Sequence, residues 1–407
     1  MTDTMAVPSL NDAMKVRSGK FKARLEDVKQ HYIGRDDVVD LLGLAAVCQE
    51  HVLLIGPPGT AKSGLLDRFA RMLGVGYFNY LLTRFTEPAE LFGPLDLEVF
   101  KNESRYQIKT TDMLPDNEIV FLDEIFQGSS AILNTLLTLV NERTFHNGSH
   151  PTRAKLMTML GSSNEMSDEP VLNAFSDRFL LRNNVRYVPE DDLEDLLEQG
   201  WTLERGALRH DVTRNGEAGP DVRRTEVVFG LEELRSLQQA VATIDLLPVR
   251  ETMAAVARSF RSEGIRFSDR RIVKAQKVVA ASALLAGRAA ATTTDLAVLC
   301  NMWADPQDAE SIQRIVSEHG IPVAASRSSA RVTAEIRLDL QELSTRAAAV
   351  TGGPELREAL GRLQKLNLEV RRDHPNEPEL SRDVMKVLRG AVTRYRELHD
   401  HEGLGDV

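Results

Sequence analysis

An apolar run that ends in a glycine-proline turn and a lysine constrains this chain more than any other feature. Val52-Leu-Leu-Ile55 is uninterrupted apolar sequence, the pattern of a short strand covered on both faces. It runs into Gly56, Pro57, Pro58, Gly59, Thr60, Ala61, Lys62 and Ser63, and Gly64 opens a helical pattern that continues to Leu73. A strand, a glycine-containing turn and a helix, in that order, are the context of a phosphate-binding loop. Backbone N–H groups of such a loop and the helix amino terminus supply donors and positive potential for phosphates. Lys62 is then placed to reach β- and γ-phosphates of a nucleotide, and the Ser63 hydroxyl to hold Mg²⁺. Ala61 departs from the strict pattern, in which glycine precedes the lysine. If that position requires a left-handed backbone, alanine costs about 1–2 kcal/mol.

Two further apolar runs, Ile119-Val-Phe-Leu122 and Leu156-Met-Thr-Met-Leu160, repeat the buried-strand signal. Between them Ile132, Leu133, Leu136, Leu137 and Val140 recur at helical spacing, and Phe179-Leu-Leu181 predicts another strand. Alternation of this kind from about Asp36 to Asn183 predicts an α/β unit with a mostly parallel sheet. Hydrophobic residues make up 42% of the 407, enough for a sizeable core and too many for wholesale disorder. Lysine and arginine number 50 against 60 acids. An acidic chain is a poor generic ligand for nucleic acid or anionic membrane. The two cysteines, Cys48 and Cys300, allow neither a disulfide framework nor a cysteine-rich metal site. The amino terminus lacks a targeting signature and no long uncharged apolar run follows. A soluble protein of a reducing cytoplasm is the expectation.

The strand Ile119–Leu122 runs into Asp123 and Glu124. Asp123 is thus expected at the carboxyl end of a parallel strand beside the phosphate loop, where a carboxylate holds a metal or its water. Glu124 is placed to polarise the attacking water. Asn164 follows the strand Leu156–Leu160; its amide would orient that water, or satisfy local turn groups instead. Arg178, in Phe175-Ser-Asp-Arg-Phe179, would serve as an arginine finger into a neighbouring subunit, or pair with Asp177 or another surface acid. Arg270, opening a helix after Ser268-Asp269, would reach the γ-phosphate from a second domain, with Arg271 a rival for the role.

Two stretches interrupt the α/β pattern, Pro94 to Asp116 and Phe145 to Lys155. Both contain turn formers flanked by strand-compatible residues and are expected as hairpin-like insertions. Residues 204–226 are polar, with Asn215-Gly216 and Gly219-Pro220, and read as a linker. Beyond it, Ile272, Ala275, Val279, Ala283 and Ala286 form a helical stripe. A second linker is expected from His319 to Arg331. Three amphipathic patterns follow, from Val332 to Val350, from Leu356 to Val370 and from Leu380 to Leu398. A small helical bundle covers such stripes, and a docking surface for a partner helix is the alternative.

Taken together these blocks resemble the AAA+ superfamily of ring ATPases, and within it the MoxR family, closest to the subgroup called regulatory ATPase variant A. The resemblance rests on Gly56–Ser63, Thr83–Leu95, Ile119–Ile125, Ile132–Leu137, Asn141–Arg143, Ser163–Glu165 and Ser268–Arg271. It implies a parallel-sheet P-loop core at 31–203 after an amino-terminal extension (1–30). A helical lid at 227–304 and a helical carboxyl-terminal region at 305–407 complete it. It implies a hexameric ring with ATP and Mg²⁺ between subunits. Lys62 and Ser63 match the Walker A pair, Asp123 and Glu124 the Walker B pair, and Asn164 the first sensor. Arg178 is similar to the trans-acting finger, with Arg143 a rival, and Arg270 to the second sensor. Gly34 and Arg35 resemble the adenine-side entry segment, and the two insertions resemble elements that face a pore. MoxR-type ATPases are similar in role to chaperones that remodel or activate protein complexes, often beside a partner with a von Willebrand factor A domain. This chain shows no such domain, so the partner would be a separate protein. The subgroup carries a β-rich module in its carboxyl-terminal region, whereas residues 305–407 read as helices alone. A nucleic-acid motor and a nucleotide-gated scaffold with little hydrolysis are the rival readings.

Overall fold

The computed structural model describes residues 10–148, 150–166, 170–213, 229–323, 333–349, 353–373 and 377–402. The chain forms two compact units, Met1–Ala324 and Ala325–Val407.

The first unit opens with α1 (Asp12–Lys29) and α2 (Asp36–Cys48), then alternates: β1 (Val52–Ile55), α3 (Lys62–Leu73), β2 (Tyr77–Leu81), α4 (Pro88–Phe92), α5 (Leu97–Glu103), β3 (Ile119–Asp123) and α6 (Ser130–Glu142). A hairpin, β4 (Thr144–Asn147) and β5 (His150–Arg153), precedes β6 (Thr158–Ser163), α7 (Pro170–Ser176), β7 (Leu181–Asn184) and α8 (Leu193–Thr213). Helices α9 (Leu231–Val241), α10 (Arg250–Ser262), α11 (Asp269–Leu285) and α12 (Ala309–Glu318) complete it. The main sheet has the order β2-β3-β6-β1-β7, with every pair parallel. This is the α/β architecture expected, with β1 an interior strand between β6 and β7 whose four apolar residues are all buried.

Helix α1 belongs to the core of this unit. Phe21, Leu25 and Val28 recur at helical spacing and are buried, and Leu25 packs so closely on Gly43 of α2 that a Cβ there would lie 2.6 Å from its Cδ1. Strand β2 carries no continuous apolar signal because it lies at the sheet edge, where its side chains are half-buried or exposed. Strand β7 starts at Leu181 rather than Phe179, since the Phe179 N–H closes a turn onto the Ser176 carbonyl at 3.0 Å.

The hairpin at 145–155 forms as expected, beginning at Thr144. The insertion at 94–116 differs. Its base is closed by an antiparallel bridge between Leu95 and Ile108, with Lys109 N–H donating to the Pro94 carbonyl at 2.8 Å. Its body is α5, because Asp96 accepts from the N–H groups of Glu98 and Val99 and so caps a helix. The segment read as a linker from 204 is helical through Thr213, the continuation of α8; the Asn-Gly and Gly-Pro turns beyond it lie outside the described residues. Helix α12, expected in the carboxyl-terminal region, packs on α10 and on the 3₁₀ turns of Thr293–Asn301 within the first unit.

Two polar devices pin the α/β core. Glu50, buried at the turn before β1, receives Lys274 and Lys277 of α11, each at 2.7 Å. His51 is buried, accepts the Met159 N–H at Nδ1 (2.9 Å) and lies 3.2 Å from the Val140 carbonyl through Nε2. The first bond fixes the neutral tautomer with the proton on Nε2.

In the second unit α13 (Thr333–Ala349), α14 (Gly353–Asp373) and α15 (Pro378–Glu402) form a helical bundle. Ile336, Leu340, Leu356, Leu363, Val370, Leu380 and Val384 make its core. The stripes expected from sequence therefore cover one another. Among the described residues no helix is long and apolar enough to cross a membrane.

Burial holds the His51 imidazole neutral well below its ordinary titration range, aided by the charges of Arg143 and Lys274. The unfolded chain takes up this proton below about pH 6.5 and the folded chain does not, so stability falls as pH drops, by at most about 1.4 kcal/mol per pH unit from this group. Denaturant melts between pH 7.5 and 5.5 should show this slope, and His51→Gln should lose that part of it.

Candidate nucleotide-binding site

The parallel register gathers the candidate residues at one end of the sheet. Strand β1 pairs with β6 from Val52–Leu160 to Ile55–Ser163, and with β7 from Val52–Leu181 to Ile55–Asn184. Where β1 ends, Gly56 N–H donates to the Ser163 carbonyl at 3.0 Å. A Cβ on Gly56 would lie 2.0 Å from the Val185 carbonyl oxygen, so only glycine fits. Gly59 has φ +82°, and Ala61, which starts α3, is left-handed at φ 61°, ψ 22°. The strain anticipated for alanine at this position is therefore present.

Lys62 spans this loop. Its ammonium donates to the carbonyls of Gly56 (2.7 Å) and Pro57 (2.9 Å) and approaches Thr60 Oγ1 at 3.4 Å. Burial lowers its pKa, against the pull of Asp123 and Glu124. Tyr187 donates to the Pro58 carbonyl at 3.2 Å. Arg35, buried, directs Nε at the Thr60 carbonyl (3.3 Å) and Nη1 at the Gly34 carbonyl (2.9 Å). Gly34, at φ +67°, has Val188 as its nearest neighbour. Gly34 and Arg35 thus brace one wall of the loop.

The acids meet the loop from β3. Ser63 donates from Oγ to Asp123 Oδ2 at 2.9 Å. Asp123 Oδ1 accepts from the Glu124 N–H at 3.1 Å and from the Ser162 hydroxyl. Ser162 was not singled out from sequence, although register could have found it, since its neighbour Gly161 pairs with Leu122. Glu124 is itself left-handed, at φ 50°, ψ 48°, and this turns its carboxylate to accept from Asn164 Nδ2 at 2.7 Å. Burial, then the charge of Asp123, raises the Glu124 pKa, with Lys62 opposing. Ser63, Asp123, Glu124 and Asn164 form one hydrogen-bonded chain across the tips of α3, β3 and β6.

The cations are elsewhere. Arg178 lies three positions before the start of β7, and Leu181 pairs with the first residue of β1, whereas the loop follows the last. The two ends are separated by at least the strand itself, about 13 Å for four residues. Arg270 lies at the same far end: its Nη2 donates to Asn141 Oδ1 at 2.8 Å, beside Val140, whose carbonyl faces His51 at the entry to β1. Arg270 therefore lies away from the cradle of its own chain, because the lid helix α11 packs at the amino end of the strands. Arg271 is buried and directs Nε at Asp177 (3.1 Å) and Nη1 at the Met302 carbonyl (3.0 Å), which removes it as a rival. Arg143 is engaged in the same way, with the carbonyls of Leu156 (2.5 Å), Gln49 (2.7 Å) and Met157. Of the four arginines, Arg270 is exposed, and Arg178 is half-buried, 26% exposed and 3.7 Å from Asp177, with its Nε buried.

Sequence reasoning also missed Arg182. It is buried, donates to the carbonyls of Ala304 (2.6 Å), Ser176 (2.7 Å) and Phe179 (3.2 Å), and has its pKa pushed down to about 9 by burial and by Arg271. Nothing in its local sequence distinguishes it from a surface arginine.

Residues 19–218 match the family described as the MoxR domain in the MoxR-vWA-beta-propeller ternary systems, and residues 244–316 match an AAA lid domain. An uncharacterized protein of Methanocaldococcus jannaschii is 31% identical over 376 residues, covering 90% of this chain and 95% of its own. The chaperone MoxR1 of Mycobacterium tuberculosis is 27% identical over 182 residues, covering 43% of this chain and 47% of its own. This chain belongs to the MoxR family of AAA+ ATPases. The crystal structure of a candidate ATPase from Cytophaga hutchinsonii has the same fold, with a TM-score of 0.58 at 15% identity over 76% of this chain and 96% of that one.

In a MoxR-family cradle the oxygen donors fit a hard divalent cation: the Ser63 hydroxyl and the Asp123 carboxylate already touch at 2.9 Å. The loop's left-handed alanine gives a direct test. Ala61→Gly should raise stability by about 0.5–1 kcal/mol, the relief at positive φ less the extra freedom of glycine in the unfolded chain. Thermal melts of the two chains at one pH measure it; an unchanged or lower Tm would mean that Ala61 carries no strain.

Proposed function

We propose that this chain is an ATP-hydrolysing ring ATPase, hexameric, that couples turnover to remodelling or activating a protein partner. One observation carries the reading. The loop, the acids and Asn164 form a connected half-site at the carboxyl end of the sheet, while the half-buried Arg178 and the exposed Arg270 lie at the other. A site that needs both halves is completed between neighbouring copies.

On this reading Lys62 leaves its loop carbonyls for the β- and γ-phosphates of ATP. Ser63 and Asp123 would hold Mg²⁺, which would neutralise phosphate charge. Glu124, kept in place by the Asn164 amide and with its pKa raised, accepts the proton of the attacking water. The water oxygen bonds to the γ-phosphorus as the bond to the β-phosphate oxygen breaks, and ADP and phosphate leave. Arg178 of the neighbour stabilises the charge that builds on the transferring group, and Arg270 of the neighbour senses the same phosphate.

The matched family's description, which names MoxR together with vWA and a β-propeller, supports a separate partner with a von Willebrand factor A domain. The family motifs and Ala61 support the regulatory ATPase variant A subgroup, from whose β-rich module the helical second unit differs. Two buried free cysteines suit a reducing cytoplasm.

Glu124→Gln should bind ATP with little change and lose turnover by about 10²–10⁴-fold, the range for a general base. Normal turnover would remove Glu124 from this role. Arg178→Ala should lower kcat by about 10³-fold or more while each isolated copy still binds ATP. Both are read by steady-state phosphate release and by binding of a fluorescent ATP analogue; an unaltered kcat for Arg178→Ala would assign the finger elsewhere.

A further inference from the structure

Helix α8 carries an apolar stripe that the first unit leaves uncovered. Leu193, Leu196, Leu197 and Trp201 are spaced as one face of a helix, and they are 43%, 38%, 73% and 59% exposed. Large apolar side chains clustered in this way mark an interaction surface. The helix flanks the cradle. It begins six residues after Tyr187, which holds the Pro58 carbonyl, and Gln199 donates to the Gln30 carbonyl on the segment leading to Gly34 and Arg35. Its first turns are strongly acidic, with Glu190, Asp191, Asp192, Glu194, Asp195 and Glu198 within nine residues and no cation among them.

The opposite character occurs at the far end of the same unit. Of the seven cations in residues 257–277, Arg271 is buried and Lys274 and Lys277 hold Glu50; Arg258, Arg261, Arg266 and Arg270 are exposed, against two acids, Glu263 and Asp269. On α11, Val273 is 64% exposed and stands one turn beyond Arg270, on the same face.

We propose that the α8 stripe is the docking surface for the α11 face of a second copy, centred on Val273 and flanked by the exposed arginines near it. This rests on the shared-site reading above and adds the contact that holds the two halves together. If Arg270 of one copy approaches the cradle of the next, Val273 arrives beside α8, and the acids meet the cations. The contact is heterologous, one face on each copy, so it repeats around a ring. Charge complementarity steers the encounter, and the apolar stripe excludes water from it.

Two variants test it, each altered only outside the nucleotide-binding residues: Leu197→Glu/Trp201→Glu on α8, and Val273→Glu on α11. Mass photometry with MgATP should show that each needs at least about tenfold more protein than the parent chain to assemble, since each buries an unpaired charge at the contact. Binding of a fluorescent ATP analogue to the single copy should be unchanged, which checks the fold. Mixed together, the two variants should form a heterodimer through the one junction whose faces are both intact, which neither forms alone. Assembly of both variants at the parent's concentration would overturn the docking surface and leave the ring reading standing. So would a mixture that stays monomeric, or a stripe that proves necessary only for binding a different protein. A parent chain that never assembles with MgATP would overturn the ring reading and the docking surface together.

Discussion

Parallel pairing on both sides of β1 is the constraint from which the rest of this structure follows. With β6 and β7 both running in the same direction as Val52–Ile55, every loop that leaves a strand emerges at one end of the sheet and every loop that enters emerges at the other. Gly56–Ser63, Asp123, Glu124, Ser162 and Asn164 belong to the first group. Arg178, and through the packing of α11 also Arg270, belong to the second. No rotamer change brings the two groups together, because a strand's length separates them. The separation of Arg178 and Arg270 from the cradle of their own chain is therefore a property of the topology rather than of any one side chain.

The far end is built around a scarce carboxylate. Asp177 lies within 3.1 Å of the buried Arg271 and 3.7 Å from Arg178, and Arg182, also buried, satisfies its guanidinium on backbone carbonyls. Burying two guanidiniums near one acid is costly unless the donors find partners, and here carbonyls from Met302 and Ala304, at the end of the lid, supply several of them, with Asp177 paired to Arg271. The same bonds fix the lid helix to the entry of β7. Movement of the lid relative to the core would break charge-assisted bonds beside Arg178, so Arg178 and the lid are mechanically linked.

Much of the near half-site is legible in the sequence because its cues are local. A buried strand, a glycine turn and Lys62-Ser63 are contiguous, and Asp123-Glu124 ends another strand; the structure brings all of them, with Asn164, into one hydrogen-bonded chain. What was not legible depended on contacts distant in sequence. Arg143 and Arg271 have the same local appearance as Arg178 and Arg270, and only the carbonyls of Leu156, Gln49 and Met302 reveal that they are internal. Ser162 is found through strand register, and β2 is masked because an edge strand needs no continuous apolar run. Helix α5 lay hidden because a turn-forming asparagine, Asn102, suggested a hairpin, whereas the Asp96 cap favours a helix. The 204–213 stretch looked like a linker because it is polar and runs into Asn215-Gly216 and Gly219-Pro220.

The claim at the centre of this account is that one chain cannot build a complete catalytic site. The most direct test is phosphate release per chain measured across a dilution series, with the assembled fraction of each sample determined in parallel. The account predicts that turnover per chain falls toward zero as assemblies dissociate, while ATP binding per chain persists. Turnover per chain that stays constant from the assembled to the fully dissociated form would contradict it.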